Sequence, residues 1–328
     1  MFEPGERVKP LSYWSFVSAG APVIGVVIGG PLVAAVGWRA IFAVQAPMCF
    51  VGFVVALWLL PGTDRLRGVR FDVAGSITLG VGAASLLAGI SQGRAWGWSS
   101  LPTLACFVIA VAALRLFVTI ERRTAAPLVM LHWFRTRNFA FPMLSQMLTN
   151  FAYMGGFILI PQVLGQRGLG LSDATKGYLV ISRPLAFSLI APLAALATMR
   201  VGERVAGVVG ALGVVLSRVL WATVGLDSSY AFIVLATACS GIGLGIASPA
   251  LTSLMANSVD EADLGVAGAM QQLMTQLGAV MGSAVLATVS VTATPTNLAP
   301  FHLAFVVGAV VATGGCVAAT FVRSTPRT

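Results

Sequence analysis

The sequence predicts an all-α polytopic membrane protein of about ten transmembrane helices. Only 9% of its 328 residues are charged and 57% are hydrophobic, whereas a water-soluble domain carries about 25% charged residues. A surface so poor in charge cannot be hydrated throughout. Apolar stretches of about 20 residues, the length that crosses a bilayer core as a helix, recur from one end to the other. They are continuously apolar rather than alternating, which argues against the strands of a membrane β-barrel.

The runs fall at roughly 13–36, 38–60, 71–90, 101–120, 139–161, 177–198, 205–224, 230–255, 264–291 and 301–322. A charged segment with Pro and Gly (Glu3, Pro4, Glu6, Arg7, Lys9, Pro10) precedes the first run, which is too long for the apolar core of a signal peptide. That run is glycine-dense, and the second follows almost at once, after Gly37. Phe71-Asp72 opens the third. The fourth carries Arg115 near its end and stops at Glu121-Arg122-Arg123. The longest polar break, Glu121 to Asn138, then separates four runs from six. The sixth run contains Arg183 and Pro184, and the seventh Arg218. In the eighth, Gly241, Gly243 and Gly245 loosen the helix and Pro249 bends it. The ninth repeats the glycine spacing of the first at Gly278 and Gly282, and the tenth closes the series.

The net charge of +9 suggests a nucleic-acid partner until its distribution is traced. The even-numbered connections and the termini carry Arg7, Lys9, Arg65, Arg67, Arg70, Arg122, Arg123, Arg135, Arg137, Arg200, Arg204, Arg323 and Arg327. The odd-numbered connections hold only Arg39, Arg94, Arg167 and Lys176. This asymmetry is the positive-inside bias, so both termini are expected in the cytoplasm and no nucleic acid is implied. Abundant Ala, Gly, Val and Arg with few Lys suit a GC-rich bacterial gene, hence a bacterial plasma membrane. Cys49, Cys106, Cys239 and Cys316 all sit inside apolar runs without a CxxC pair, as small buried hydrophobes do.

Candidate functional residues follow from what is expensive in lipid. Gly25 and Gly29, with Gly30 adjacent, line one helix face with hydrogens and allow close helix approach; the same device can serve static packing or a rocking contact. Arg183 is expected to line a central cavity near the outer end of its helix or to snorkel to the interface. Arg218 is nearer mid-helix, with no acidic partner evident. Gln146, Asn150 and Tyr153 share one helix face, as do Gln272 and Gln276 with Gln271 beside them. Such uncharged polar stripes suit either interhelical hydrogen bonds or a permissive cavity for small amphipathic or cationic substrates. No acidic residue lies mid-membrane, and the two histidines, His132 and His302, sit at interfaces. No HExxH, GxSxG or phosphate-binding loop occurs, so an enzyme is not expected, nor is a cofactor or metal.

Several segments resemble the 14-helix drug:proton antiporter branch of the major facilitator superfamily. Gly25-Val26-Val27-Ile28-Gly29-Gly30 followed by Trp38-Arg39-Ala40-Ile41-Phe42 is similar to that branch's fifth-helix antiporter motif, with Gly-Val where the family usually has Gly-Pro. Phe71-Asp72, Gln92-Gly93-Arg94-Ala95-Trp96-Gly97-Trp98, the linker segment Glu121-Arg122-Arg123-Thr124-Ala125-Ala126-Pro127-Leu128-Val129 and Arg135-Thr136-Arg137-Asn138-Phe139 match in order and spacing. The resemblance implies a partial major facilitator fold. Residues 1–62 would be the last two helices of an N-terminal bundle, 63–138 an extra helix pair with a cytoplasmic linker, and 139–328 a complete six-helix C-terminal bundle. On this alignment the chain lacks the family's first four helices and the proton-coupling charges they carry, so activity is expected of the intact protein and not necessarily of this truncated chain. The implied activity is proton-coupled multidrug or antibiotic efflux by a monomer in the lipid bilayer, with the proton gradient as energy source. In such a chain Gly25, Gly29 and Gly30 would form the antiporter helix, and Gln146, Asn150, Tyr153, Arg183, Gln272 and Gln276 the cavity lining. A compact ten-helix metabolite exporter and a non-transporting membrane scaffold are the rivals.

Overall fold

A computed structural model describes residues 35–59, 72–124, 129–165, 173–225, 227–294 and 297–323, together with Pro127 and scattered positions between 21 and 32. Nine helices long and apolar enough to cross a membrane lie among the described residues. They are α1 (Arg39–Leu59), α2 (Val73–Trp96), α3 (Leu101–Glu121), α4 (Arg137–Leu164), α5 (Asp173–Val201), α6 (Glu203–Ala222), α7 (Tyr230–Ala256), α8 (Leu264–Val289) and α9 (Ala299–Thr320). Most of the first apolar run, Gly30 included, lies outside the described residues; Gly25 and Gly29 are helical.

Local chemistry explains where these helices begin and turn. Asp72 caps α2, its carboxylate accepting from the Gly75 backbone N–H at 2.8 Å, and Ser229 caps α7 by accepting from Phe232 N–H. Pro102 stands in the first turn of α3, where its missing N–H costs nothing. Gly202, at φ +90°, makes the one-residue turn between α5 and α6, a backbone region that favours glycine.

The helices from α4 to α9 interlock as one bundle: α4 packs on α7, α8 and α9, α7 packs on α5 and α6, and α6 packs on α9. Phe151, Leu159, Ile160, Trp221, Ile233, Leu286 and Phe305 form its largest apolar core. α2 and α3 pair with each other, and α2 lies against α8. α1 buries none of its residues. Asn138, at the start of α4, both donates to the Arg323 carbonyl and accepts from the Arg323 N–H after α9. The start and end of the six-helix bundle therefore share one face.

Close approach inside the bundle rests on glycine. A Cβ at Gly278 or Gly282 of α8 would collide with the α4 backbone at Met147 and Phe151 respectively, so these two positions let the helices touch main chain to main chain. On α7, Gly241 and Gly245 face α5 while Gly243 faces α6, which gives the glycines expected to loosen this helix a packing role on two sides. The helix runs unbroken through Pro249. Among the described residues, no neighbour lies within 4 Å of a Cβ placed at Gly25 or Gly29. Cys49, Cys106, Cys239 and Cys316 are free.

Candidate functional site

Polar chemistry inside the bundle is concentrated along one helix. α4 spans about 42 Å at 1.5 Å per residue, and Asn150 and Tyr153 stand near its middle, with Gln146 about one turn below. All three are buried. Two clusters grow from this face.

The first is a net of amides and hydroxyls that joins three helices. Gln146 donates from Nε2 to the Ser248 carbonyl at 3.3 Å and to Thr252 Oγ1 at 3.2 Å, both on α7. Its Oε1 accepts from Thr275 Oγ1 of α8 at 3.4 Å. Gln271 Nε2, also on α8, donates to the same Thr252 hydroxyl. Asn150 closes the net within its own helix by donating to the Gln146 carbonyl at 3.0 Å.

The second cluster is cationic. Arg183 of α5 is 1% exposed and Arg218 of α6 is 0% exposed. The Arg183 guanidinium lies 3.3 Å from the Tyr153 ring centroid and 5.3 Å from that of Phe157, a cation–π arrangement, and Nη2 donates to the Tyr153 carbonyl. Arg218 donates from Nη2 to Ser217 Oγ at 3.0 Å and sits 5.5 Å from the Phe305 ring centroid. Gly156 makes room for it, since a Cβ there would overlap its Nη1. Among the described residues, Nε and Nη1 of both arginines have no hydrogen-bond partner. Two guanidiniums thus stand inside the bundle on aromatic faces and a few oxygens, without a contacting carboxylate among the described residues.

The structure therefore joins Gln146, Asn150, Tyr153 and Arg183 along one side of the bundle core. It seals Arg183 among aromatic rings and holds Gln146 in interhelical hydrogen bonds. Gln272 and Gln276 stay apart: both are exposed on α8, while Gln271 and Thr275, one position earlier in each case, make the inward contacts. Thr252 and Ser248, the α7 contributors, were not among the expected residues; a hydroxyl pair at i and i+4 flanking Pro249 is the signal that marks them. Arg218 belongs with Arg183 on the same grounds of burial.

Thr252 serves two amide donors at once, so replacing it measures what the net contributes. An interhelical hydrogen bond in a membrane averages about 0.6 kcal/mol, and Thr252→Val removes the acceptor of two. The expected loss is about 1 kcal/mol, a fall in thermal midpoint of about 2–4 °C. Gln272→Ala, on the exposed face of α8, should leave the midpoint unchanged in the same thermal-shift measurement.

The chain matches the model of the Major Facilitator Superfamily over residues 1–283 and again over 143–328. It is 31% identical over 288 residues to the tetracenomycin C resistance and export protein of Streptomyces glaucescens, covering 87% of this chain and 53% of that protein. It is 26% identical over 287 residues to the multidrug resistance protein Stp of Mycobacterium tuberculosis, covering 88% and 53%. With the quinolone resistance protein NorB of Staphylococcus aureus the identity is 28% over 295 residues, covering 85% and 60%. The chain spans about half the length of the curated relatives it matches.

Proposed function

The chain belongs to the Major Facilitator Superfamily, and on that premise we propose that it works as a secondary active transporter exporting small amphipathic molecules by alternating access. The observation that carries this reading is the buried polar side of α4 with the two arginines behind it. Buried ionisable groups in a membrane bundle are expensive and are retained chiefly where substrate or ion traffic needs them. Relatives with names in drug and antibiotic resistance or export support the same direction.

In this proposal residues 139–328 rock as one bundle against the bundle that residues 1–62 help to form, with residues 63–138 as the extra helix pair and linker. The antiporter helix at Gly25, Gly29 and Gly30 supplies a smooth sliding face. Gln146, Asn150 and Tyr153 on α4 and, separately, Gln272 and Gln276 on the exposed face of α8 offer uncharged polar contacts, which suit amphipathic substrates, cationic ones included. Arg183 and Arg218 are the fixed intramembrane charges. Export draws on the proton gradient and needs no bound cofactor. The protein acts as a monomer in a bacterial plasma membrane, with the arginine-rich ends and both termini in the cytoplasm.

The test is accumulation of a fluorescent amphipathic dye in a bacterial strain that lacks its own exporters. Cells carrying the protein should hold less dye than empty-vector cells, and a proton ionophore should erase the difference. Equal accumulation, with the protein verified in the membrane fraction, would refute export. A difference that survives the ionophore would refute proton coupling alone.

A further inference from the structure

Between the α2–α3 pair and the six-helix bundle lies a cavity of about 830 Å3 that the transport reading does not use. Its walls are apolar: Leu79 and Leu86 from α2, Phe117 from α3, Met270 and Met274 from α8. The methionines give a surface that can reshape around an irregular chain. Its rim is different. Arg122, directly after α3, and His132 and Arg135, on the short helix Leu131–Arg135, line it from the basic end of the bundle, and all three are exposed. Glu121, the carboxylate next to Arg122 in sequence, is turned inward, where its Oε1 accepts from the Val129 N–H.

We propose that this groove holds one anionic phospholipid, with an acyl chain against Leu79, Phe117 and Met274 and the phosphate on Arg122 and Arg135. The geometry suits that occupant in depth and in charge. The eight steps from Leu114 to Arg122 span about 12 Å of helix, so the apolar part runs from the rim into the core of one leaflet. Two arginines at the rim attract a phosphate and repel a cationic drug, and basic pockets between membrane helices are the usual seats of acidic headgroups. The lipid would fill a gap between helices that touch chiefly through α2 and α8, coupling the α2–α3 pair to the bundle. The inference rests on the membrane orientation given above, though not on any transport activity.

The experiment uses the full chain in nanodiscs of phosphatidylcholine with or without phosphatidylglycerol, read by native mass spectrometry of retained lipid and by thermal unfolding. Phosphatidylglycerol should be retained over phosphatidylcholine by roughly ten- to thirty-fold, the ratio two surface arginines give, and should raise the unfolding midpoint. Arg122→Gln with Arg135→Gln should bring retention to parity, the corresponding lysine pair should keep most of the preference, and Ala83→Phe, which fills the groove from α2, should remove bound lipid with the arginines intact. Glycerol phosphate, the headgroup without its chains, should not raise the midpoint. Equal retention of the two lipids by the unaltered chain would overturn the proposal, as would full preference in the Ala83→Phe variant. Stabilisation by glycerol phosphate alone would mean a free anion site in place of a lipid site. A chain that binds phosphatidylglycerol yet exports no dye would keep this inference and lose the transport reading.

Discussion

Gly282→Leu is expected to eliminate folded protein, and Gly278→Leu to do nearly as much. A Cβ at position 282 would stand 2.8 Å from the Phe151 Cα and closer still to its carbonyl; at 278 the Met147 Cα is 3.1 Å away. Side chains in a core can shift to accept extra atoms at about 1–3 kcal/mol, but here the obstacle is the backbone of α4, whose other side is packed on α7 and α9. The whole α4–α8 crossing would have to open. Membrane helices associate largely through such close small-residue contacts, and the Thr275–Gln146 hydrogen bond between the two helices, at 3.4 Å, is too weak to restore the pair. Both variants should lose the monodisperse peak in size-exclusion chromatography of detergent extracts. The same helix supplies the controls: among the described residues no neighbour lies within 4 Å of a Cβ at Gly265 or Gly268, and leucine at either should leave the peak intact. Loss in all four variants would point to a general intolerance of α8 instead of this contact.

The same glycines show what the sequence discloses and what it withholds. Their spacing of four announces a face for close approach, but not the partner, because many helices in the chain carry glycine; only the packed bundle shows that α4 is met at Met147 and Phe151. The nine described helices were each readable as an apolar run, since crossing a bilayer demands length and apolarity that nothing else in the chain mimics, but their ends were not: α2 continues six residues past its run, to Trp96, and α5 starts four residues before its own, at Asp173. Polar faces were readable to within one residue. Gln272 and Gln276 form a stripe as regular as Gln271 and Thr275, yet about 100° separates neighbouring positions on a helix, and the packing angle of α8 turns the latter pair inward. Thr252 escaped notice because a threonine in an apolar helix can bond its own turn, as it does here to the Ser248 carbonyl at 2.7 Å, while also accepting from other helices. Arg218 stood out by its cost alone, with nothing in the sequence to say that Gly156 and Phe305 would surround it.

Arg218→Met should raise or preserve thermal stability while reducing dye export to the empty-vector level. The two effects have opposite signs for a physical reason. Arg218 is wholly buried, and two of its three nitrogens have no hydrogen-bond partner among the described residues. Ser217 and the Phe305 ring return little of what desolvation takes. Exchanging buried ions for apolar residues of similar volume is often neutral or stabilising by about 1–4 kcal/mol. Methionine keeps the unbranched shape that Gly156 and Gly308 accommodate and drops the charge. If the guanidinium were there for the fold, its loss would lower the midpoint and the yield of membrane protein together. If it serves transport, the fold should not miss it and the cycle should. Arg183→Met separates the two arginines further, because Arg183 gains more from its surroundings: its stacking on the Tyr153 ring at 3.3 Å and its hydrogen bond to the Tyr153 carbonyl would both be lost, so some loss of stability should accompany the loss of export. An Arg218→Met protein that exports at the original rate would remove the arginine pair from the mechanism and leave the amide net of Gln146, Thr252 and Gln271 as the polar feature to pursue.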